Sequence, residues 1–460
     1  MELTFPHLFV PWFRAIAPYI HAHKGNTFVI GVDSEMIAAG RLSALVQDLA
    51  LIHAMNIKIV LVHGFRRQLE EHLLLRSHPS KFVEGIRITD QTALTCAQAA
   101  AGQLRYQIEA TFSQGLPNTP MAHAQVRVVS GNYITAKPLG IINGVNFQHT
   151  GEIRKLDSTG IRQALDQGNI VLLSPFGFSS TGEAFNLSME DVATEAAIAL
   201  QAEKLAFITP LRGVPEYLGD LEGGKPSAEK DDDTLPIKKQ MTLDEAQKLL
   251  DTYPAPDTPE TQQVVFYLRH MVKALQNKVK RTHIIPYAVD GSLLIESFTH
   301  DGIGTMLIDE NLQSLREAQP RDVAAIIQLI EPLEKEGALI KRSRKEIERD
   351  IHAYTVIEHD GVLFGCVAFH PYPENKTGEL AALNVSPRLQ GGNYGEKLLT
   401  RVEHKARAMG LESIFVLTTR TMHWFIKHGF EEVPPEWLPQ TKREHYNWNR
   451  NSQVLVKRVK

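Results

Sequence analysis

The sequence predicts an α/β protein of two units in series, the first built on a mostly parallel sheet. Three observations predict it. Short β-branched apolar runs alternate with helical segments along the first 300 or so residues. Those runs lack polar alternation, as strands do when helices cover both faces of a sheet. The alternation then resumes after a boundary between Thr305 and Leu315, which divides the 460 residues into 1–308 and 309–460.

The elements follow in order. Phe9, Trp12, Phe13, Ile16 and Ile20 recur at helical spacing, giving an N-terminal amphipathic helix that ends near His23-Lys24-Gly25. A strand over Thr27–Val32, a helix over Leu42–His53, a strand over Ile57–His63 and a helix over Arg67–Leu75 come next. The rhythm continues with strands over Val126–Ser130, Ile170–Ser174 and Leu205–Thr209, separated by helices over Asp157–Asp166 and Glu190–Gln201. Glu222–Pro236 is a Gly, Lys, Asp and Pro cluster without periodicity and reads as a surface loop. A helix over Thr261–Val279 and strands over His283–Ala288 and Leu293–Ser297 close the first unit. In the second, helices are expected over Arg321–Lys335, Lys345–Ile351, Gly395–Met409 and Met422–His428. Strands are expected over Tyr354–Glu358, Val362–His370, Glu379–Val385 and Ser413–Thr418.

Composition narrows the function. Lys plus Arg number 49 against 53 Asp plus Glu, a formal charge of −4, with 43% apolar and 22% charged residues. Neither a nucleic-acid binder nor a disordered chain is expected from that balance. Cys96 and Cys366 are the only cysteines and form no CxxC pair, so no disulfide framework and no metal site is expected. No signal peptide and no run of about 20 uncharged residues is present, so the expected location is the cytoplasm, away from membranes.

The stretch Val385-Ser-Pro-Arg-Leu-Gln-Gly-Gly-Asn-Tyr-Gly395 leaves an apolar strand, turns through glycines and opens a helix. Backbone N–H groups at such a helix start suit a pyrophosphate. By itself the run also suits a tight strand-to-helix turn with no ligand. With its flanks, Glu379-Leu-Ala-Ala-Leu-Asn-Val before it and Trp424-Phe-Ile-Lys-His-Gly-Phe430 after it, it resembles the acetyl-CoA loop of the GNAT N-acetyltransferase superfamily. The resemblance assigns Gln390, Gly391, Gly392, Asn393, Tyr394 and Gly395 to acetyl-CoA, with Asn393 where a glycine is usual. It makes Glu379 the general base, since acyl transfer needs a deprotonated amine. The oxyanion donor should be a main-chain N–H near Asn384 or Val385. Phe425 stands where many members carry an acidic tyrosine, and Thr418 matches the strand-end hydroxyl of the N-acetylglutamate synthase branch.

The acceptor is suggested by arginines. Guanidinium suits bidentate carboxylate recognition, and Arg342 and Arg450 match that branch's glutamate-binding positions. Residues 1 to about 305 resemble the amino-acid kinase fold, through Val62-His63-Gly64, Phe185 to Thr194 and Phe298 to Thr305. Gly31 occupies the kinase's lysine position and Asp33-Ser34 its glycine pair, so no phosphoryl transfer is expected. Tyr19, His283, Glu296 and Gly302 fall where arginine-inhibited members hold L-arginine, with Glu296 expected to face the guanidinium. The N-terminal helix resembles one that interlocks subunits, and the family resemblance implies a homo-oligomer, a hexamer.

The whole chain thus resembles the fused bacterial N-acetylglutamate synthases. What that implies is acetyl transfer from acetyl-CoA to L-glutamate, opening arginine synthesis, with L-arginine as effector. Two alternatives stay open: a GNAT acetylating another amino acid or amine, and an arginine-binding regulatory protein whose transferase has decayed.

Overall fold

The computed structural model describes residues 5–115, 119–218, 236–254, 258–299, 302–309, 314–359, 362–386, 394–444, 446–448, 450 and 452–459. It divides into two compact units, Met1–Glu310 and Asn311–Lys460. The cluster expected as a loop over 222–236 lies outside the described residues, except for Pro236.

The first unit is an eight-stranded sheet between helical layers. Its strand order is Gln240–Thr242, Thr305–Ile308, Arg281–Pro286, Lys204–Thr209, Thr27–Val32, Lys58–His63, Asn169–Leu173 and Arg127–Val129. The six strands from Arg281–Pro286 to Arg127–Val129 run parallel, and Thr305–Ile308 and the edge strand Gln240–Thr242, parallel to each other, run opposite to them. Every residue of Asn169–Leu173, Lys204–Thr209 and Arg281–Pro286 is buried. Separate apolar cores, one holding Val29, Val60 and Phe207 and the other Phe28, Ile30 and Leu61, cover the two faces. That explains why these strands read as unbroken apolar runs.

One expected strand is corrected. Leu293–Ser297 belongs to a helix, Ser292–Phe298, entered from Gly291 at φ 68°. Leu293, Glu296 and Ser297 point inward, the i, i+3, i+4 face of a helix; a short apolar run does not distinguish the two states until packing does. The 22-residue helix Gln91–Phe112, not anticipated from the sequence, is capped by Asp90 accepting from the Ala93 amide at 2.9 Å. A smaller sheet orders Ala184–Asn186, Phe176–Phe178, Ile134–Pro138 and Gly151–Leu156.

Buried histidines make this unit acid-sensitive. His63 is fully buried with Nε2 2.8 Å from Ser174 Oγ, and burial lowers its pKa to about 4. A folded pKa below the unfolded 6.5 means stability present above that value and lost as pH falls toward 4. We expect melting temperature to drop across this window, with His63 contributing on the order of 3 kcal/mol. His63→Gln should flatten the drop, as read by calorimetry at pH 7 and pH 4.5; an unchanged slope would assign it to other groups.

The second unit is a seven-stranded sheet in the order Ser314–Glu317, Tyr354–His359, Val362–Tyr372, Thr377–Val385, Ser413–Thr418, Gln453–Arg458 and Glu431–Val433. All neighbours are antiparallel except Thr377–Val385 beside Ser413–Thr418. The helix Tyr394–Ala408 packs one face through Leu398 and Val402 against Val367, Phe369, Leu380, Ile414 and Val416. Helices Val323–Lys335 and Arg344–Arg349 pack the other through Ile326, Ile330 and Ile347 against Val356, Cys366 and Ala368.

Candidate active site

The parallel ladder in the second unit is short. It joins Thr377 to Ser413, Gly378 to Ile414 and Glu379 to Phe415, then stops, although both strands run on to Val385 and Thr418. The strands therefore fork at Glu379. A bulge between Cys366 and Ala368, with Ala382 at φ 50°, bends the Thr377–Val385 arm on its other side. One arm ends at Asn384 and Val385, the other at Thr418.

The pleat assigns faces. Glu379 alternates with Leu380 and so emerges on the face of Val323–Lys335. His370 is its cross-strand partner and shares that face. Thr418 falls in step with Ile414 and Val416 and emerges with them on the face of Tyr394–Ala408. A donor held at that helix start and an acceptor held on the opposite face would meet in the fork.

Glu379 is buried, with Oε1 2.7 Å from the Lys442 ammonium on the short helix Gln440–Glu444. Burial and the Glu379 charge push the Tyr372 phenol up to about 12. Burial holds His370 below its ordinary range; Glu379 and Asp350 oppose that, and Lys442 and Arg342 reinforce it. Arg450 donates to the carbonyls of Gly337 and Ala338 at 3.1 and 2.7 Å. Burial, then the Arg342 charge, lowers its pKa. Arg342 donates to the Ile340 carbonyl at 3.2 Å. Among the described residues neither guanidinium has a carboxylate ion-pair partner. Two cations near enough to influence each other, each bonded to backbone carbonyls, offer charge suited to an anion.

Other expected contacts are qualified. Gln390, Gly391, Gly392 and Asn393 lie outside the described residues. The Tyr394 ring is buried in the core under its own helix, so packing occupies it. Gly395 leaves room for Trp424, whose ring would lie 3.2 Å from an added Cβ. The Asn384 side-chain amide donates to the Leu329 carbonyl, which ties it to the helix Val323–Lys335. Thr418 Oγ1 accepts from the Thr421 amide at 3.1 Å and lies 2.8 Å from Thr421 Oγ1.

In the first unit, Tyr19 is buried on the helix Phe5–His23, which packs against Ser292–Phe298. His283 Nδ1 lies 2.8 Å from Glu296 Oε1, and Glu296 Oε2 accepts from the amides of Ile303 and Gly304 at 2.7 and 3.0 Å. These bonds hold the Glu296 carboxyl at about 2. The protein itself engages both oxygens, so Glu296 braces the glycine loop from inside. Gly302, at φ 55°, is required there: a Cβ would sit 2.6 Å from Glu296 Oε2.

A cleft of about 830 Å³ opens in the same unit beside Asp33, Gly64, Arg66, Asn186, Glu190 and Tyr267. Behind it, a Cβ on Gly31 would meet Met189 Sδ at 2.7 Å and Phe207 Cδ1 at 2.9 Å, so no lysine fits. The Tyr267 hydroxyl lies 3.3 and 3.5 Å from Asp33 and Glu190, and burial, then Asp33, raises Glu190 to about 7.

Residues 26–285 match the Amino acid kinase family and residues 323–430 the Acetyltransferase (GNAT) family. The chain is 52% identical over 452 residues to the amino-acid acetyltransferase of Ralstonia nicotianae, across 98% of this chain and 95% of that protein. The chain belongs to the amino-acid acetyltransferase family. A Vibrio cholerae amino-acid acetyltransferase is 40% identical, covering 97% of this chain and 98% of its own. The N-acetylglutamate synthase of Neisseria gonorrhoeae complexed with coenzyme A and L-arginine superposes with a TM-score of 0.82 at 37% identity, over 98% of this chain and 99% of that one. The same protein complexed with coenzyme A and N-acetyl-glutamate gives 0.60 over the same coverage. As an amino-acid N-acetyltransferase, the chain carries its GNAT domain in the second unit, which also holds Glu379, Arg342 and Arg450. Lys442 and His370 were missed, because only the fold brings the tail helix and a neighbouring strand to Glu379.

Proposed function

We propose that this acetyltransferase moves the acetyl group of acetyl-CoA onto the α-amine of L-glutamate, making N-acetyl-L-glutamate as the first step of arginine synthesis. The observation that carries the acceptor is the pair of guanidiniums, Arg342 and Arg450, without a carboxylate partner among the described residues, Arg342 lying near enough to act electrostatically on Arg450 and on His370, the cross-strand partner of Glu379. They hold the two carboxylates while Glu379 removes the amine proton. An α-ammonium with a pKa of about 8 is mostly charged at neutral pH, so a buried base beside it supplies the nucleophile. The amine attacks the thioester in the fork, main-chain N–H groups near Asn384 and Val385 steady the oxyanion, and Thr418 on the far arm serves the departing sulfur. Acetyl-CoA itself is held at the start of Tyr394–Ala408.

Thiol release from acetyl-CoA against a panel of amino acids tests this. Glutamate should exceed neutral amino acids by roughly 10²-fold or more in kcat/KM, because a ligand lacking the second carboxylate forgoes charge-assisted hydrogen bonds to these guanidiniums. Preference for aspartate would favour the alternative acceptor, and no turnover with any amino acid would favour a decayed transferase.

The first unit serves regulation in this reading, and transfers no phosphate. Gly31, walled by Met189 and Phe207, and the acids Asp33 and Glu190 are the wrong surroundings for a phosphoryl group. N-acetylglutamate with ATP should yield no acyl phosphate above a blank. L-arginine binds near Tyr19, His283 and the Gly302 loop that Glu296 braces. Tyr19→Ala should raise the half-inhibiting arginine concentration about 10-fold, a loss of about 1.4 kcal/mol; an unchanged midpoint would send arginine elsewhere. The exposed Phe9, Trp12 and Phe13 are covered by further copies of the chain in a homo-oligomer, a hexamer on the family resemblance. Light scattering before and after deleting residues 1–23 reads this directly.

A further inference from the structure

His370 is a titratable group of this site that the proposed mechanism does not use. His370 stands directly across the antiparallel ladder from Glu379, and side chains so paired have Cβ atoms about 5 Å apart on one face. Neither of its ring nitrogens has a hydrogen-bond partner among the described residues, although the residue is half-buried. Glu379 gives Oε1 to Lys442, while Oε2 carries no hydrogen bond among the described residues.

We infer that His370 is a positioning residue for acetyl transfer, accepting from Glu379 the proton that the acceptor amine gives up. This rests on the reading of Glu379 as the base. The amine N–H bond breaks and an O–H bond forms at Glu379 Oε2. That bond then breaks in favour of an N–H bond on the neutral imidazole, directly or through one water. The imidazolium passes the proton to solvent, which restores both the ring and the carboxylate for the next turnover.

The ring must start neutral, and its surroundings arrange this. Glu379 on the adjacent strand and Asp350 after the helix Arg344–Arg349 favour the imidazolium; Lys442 on Gln440–Glu444 and Arg342 oppose it. Two acids offset two cations, and burial, the largest influence, decides for the neutral form.

The full-length enzyme tests this with acetyl-CoA and glutamate across about pH 5.5 to 9. His370→Gln should lower kcat about 10-fold or more at pH 7, shift the glutamate KM by less than about 2-fold, and flatten the acid limb of kcat. Added imidazole should restore part of the rate. His370→Asn, of different length, should behave alike, which separates proton transfer from packing. Unchanged kcat and acid limb in both variants, or a raised glutamate KM with kcat intact, would overturn the inference. Glu379→Gln measured alongside keeps the two readings apart. If it loses rate while the His370 variants do not, only the relay fails; if it keeps wild-type kcat, the base assignment falls and the relay with it.

Discussion

Glu379→Gln should lower kcat by about 10²-fold or more, roughly 2.7 kcal/mol of transition-state stabilisation. Glutamine keeps the size of the side chain and a carbonyl oxygen for Lys442, so the fork stays filled while the proton acceptor is lost. Acetyl-CoA binding should persist, because its helix start lies on the other face of the sheet. Thiol release at saturating substrates reads the rate, and calorimetric titration reads the binding. Near-normal kcat at neutral pH would remove Glu379 from the mechanism.

The second large effect belongs to the arginines. Arg342→Ala or Arg450→Ala should raise the glutamate KM roughly 10-fold to 100-fold, the range set by losing a charge-assisted hydrogen bond of about 1.5 to 3 kcal/mol. The acetyl-CoA KM should barely move. Arg450 also donates to the carbonyls of Gly337 and Ala338, so its loss threatens the local backbone as well as the ligand. Arg450→Lys separates these: it keeps a cation but not the fork of donors, and recovery of folding without recovery of KM marks carboxylate recognition. A parallel rise in both KM values would mean that these residues act through folding.

Much of this site was legible in the chain because its residues sit at strand ends and loop starts, where periodicity locates them. Glu379 opens an apolar strand and Thr418 closes one, and both boundaries lie within two residues of those read from the sequence. Ser292–Phe298 was misread because Leu-Leu-Ile is apolar enough for strand or helix, and only its packing against Leu42–Ala54 and Phe5–His23 decides. Glu296 was identified, but its partners were not: His283 and two amides of the glycine loop contact its carboxylate. Local sequence carries no record of which partner satisfies a buried charge.

The sequence by itself determined the two α/β units, the parallel central strands, the glycine-rich helix start, the loss of lysine at Gly31 and the acids and arginines of the acetyltransferase unit. Those follow from local chemistry: side-chain period, turn residues and charge. Tertiary structure alone decided the fork at Glu379, the separation of Thr418 from Glu379 onto opposite faces, and the ion pair with Lys442. It alone brought His370 to the base. The physical reason is register: a side chain's face and cross-strand neighbour depend on how strands distant in sequence pair, and a shift of one residue would exchange every face.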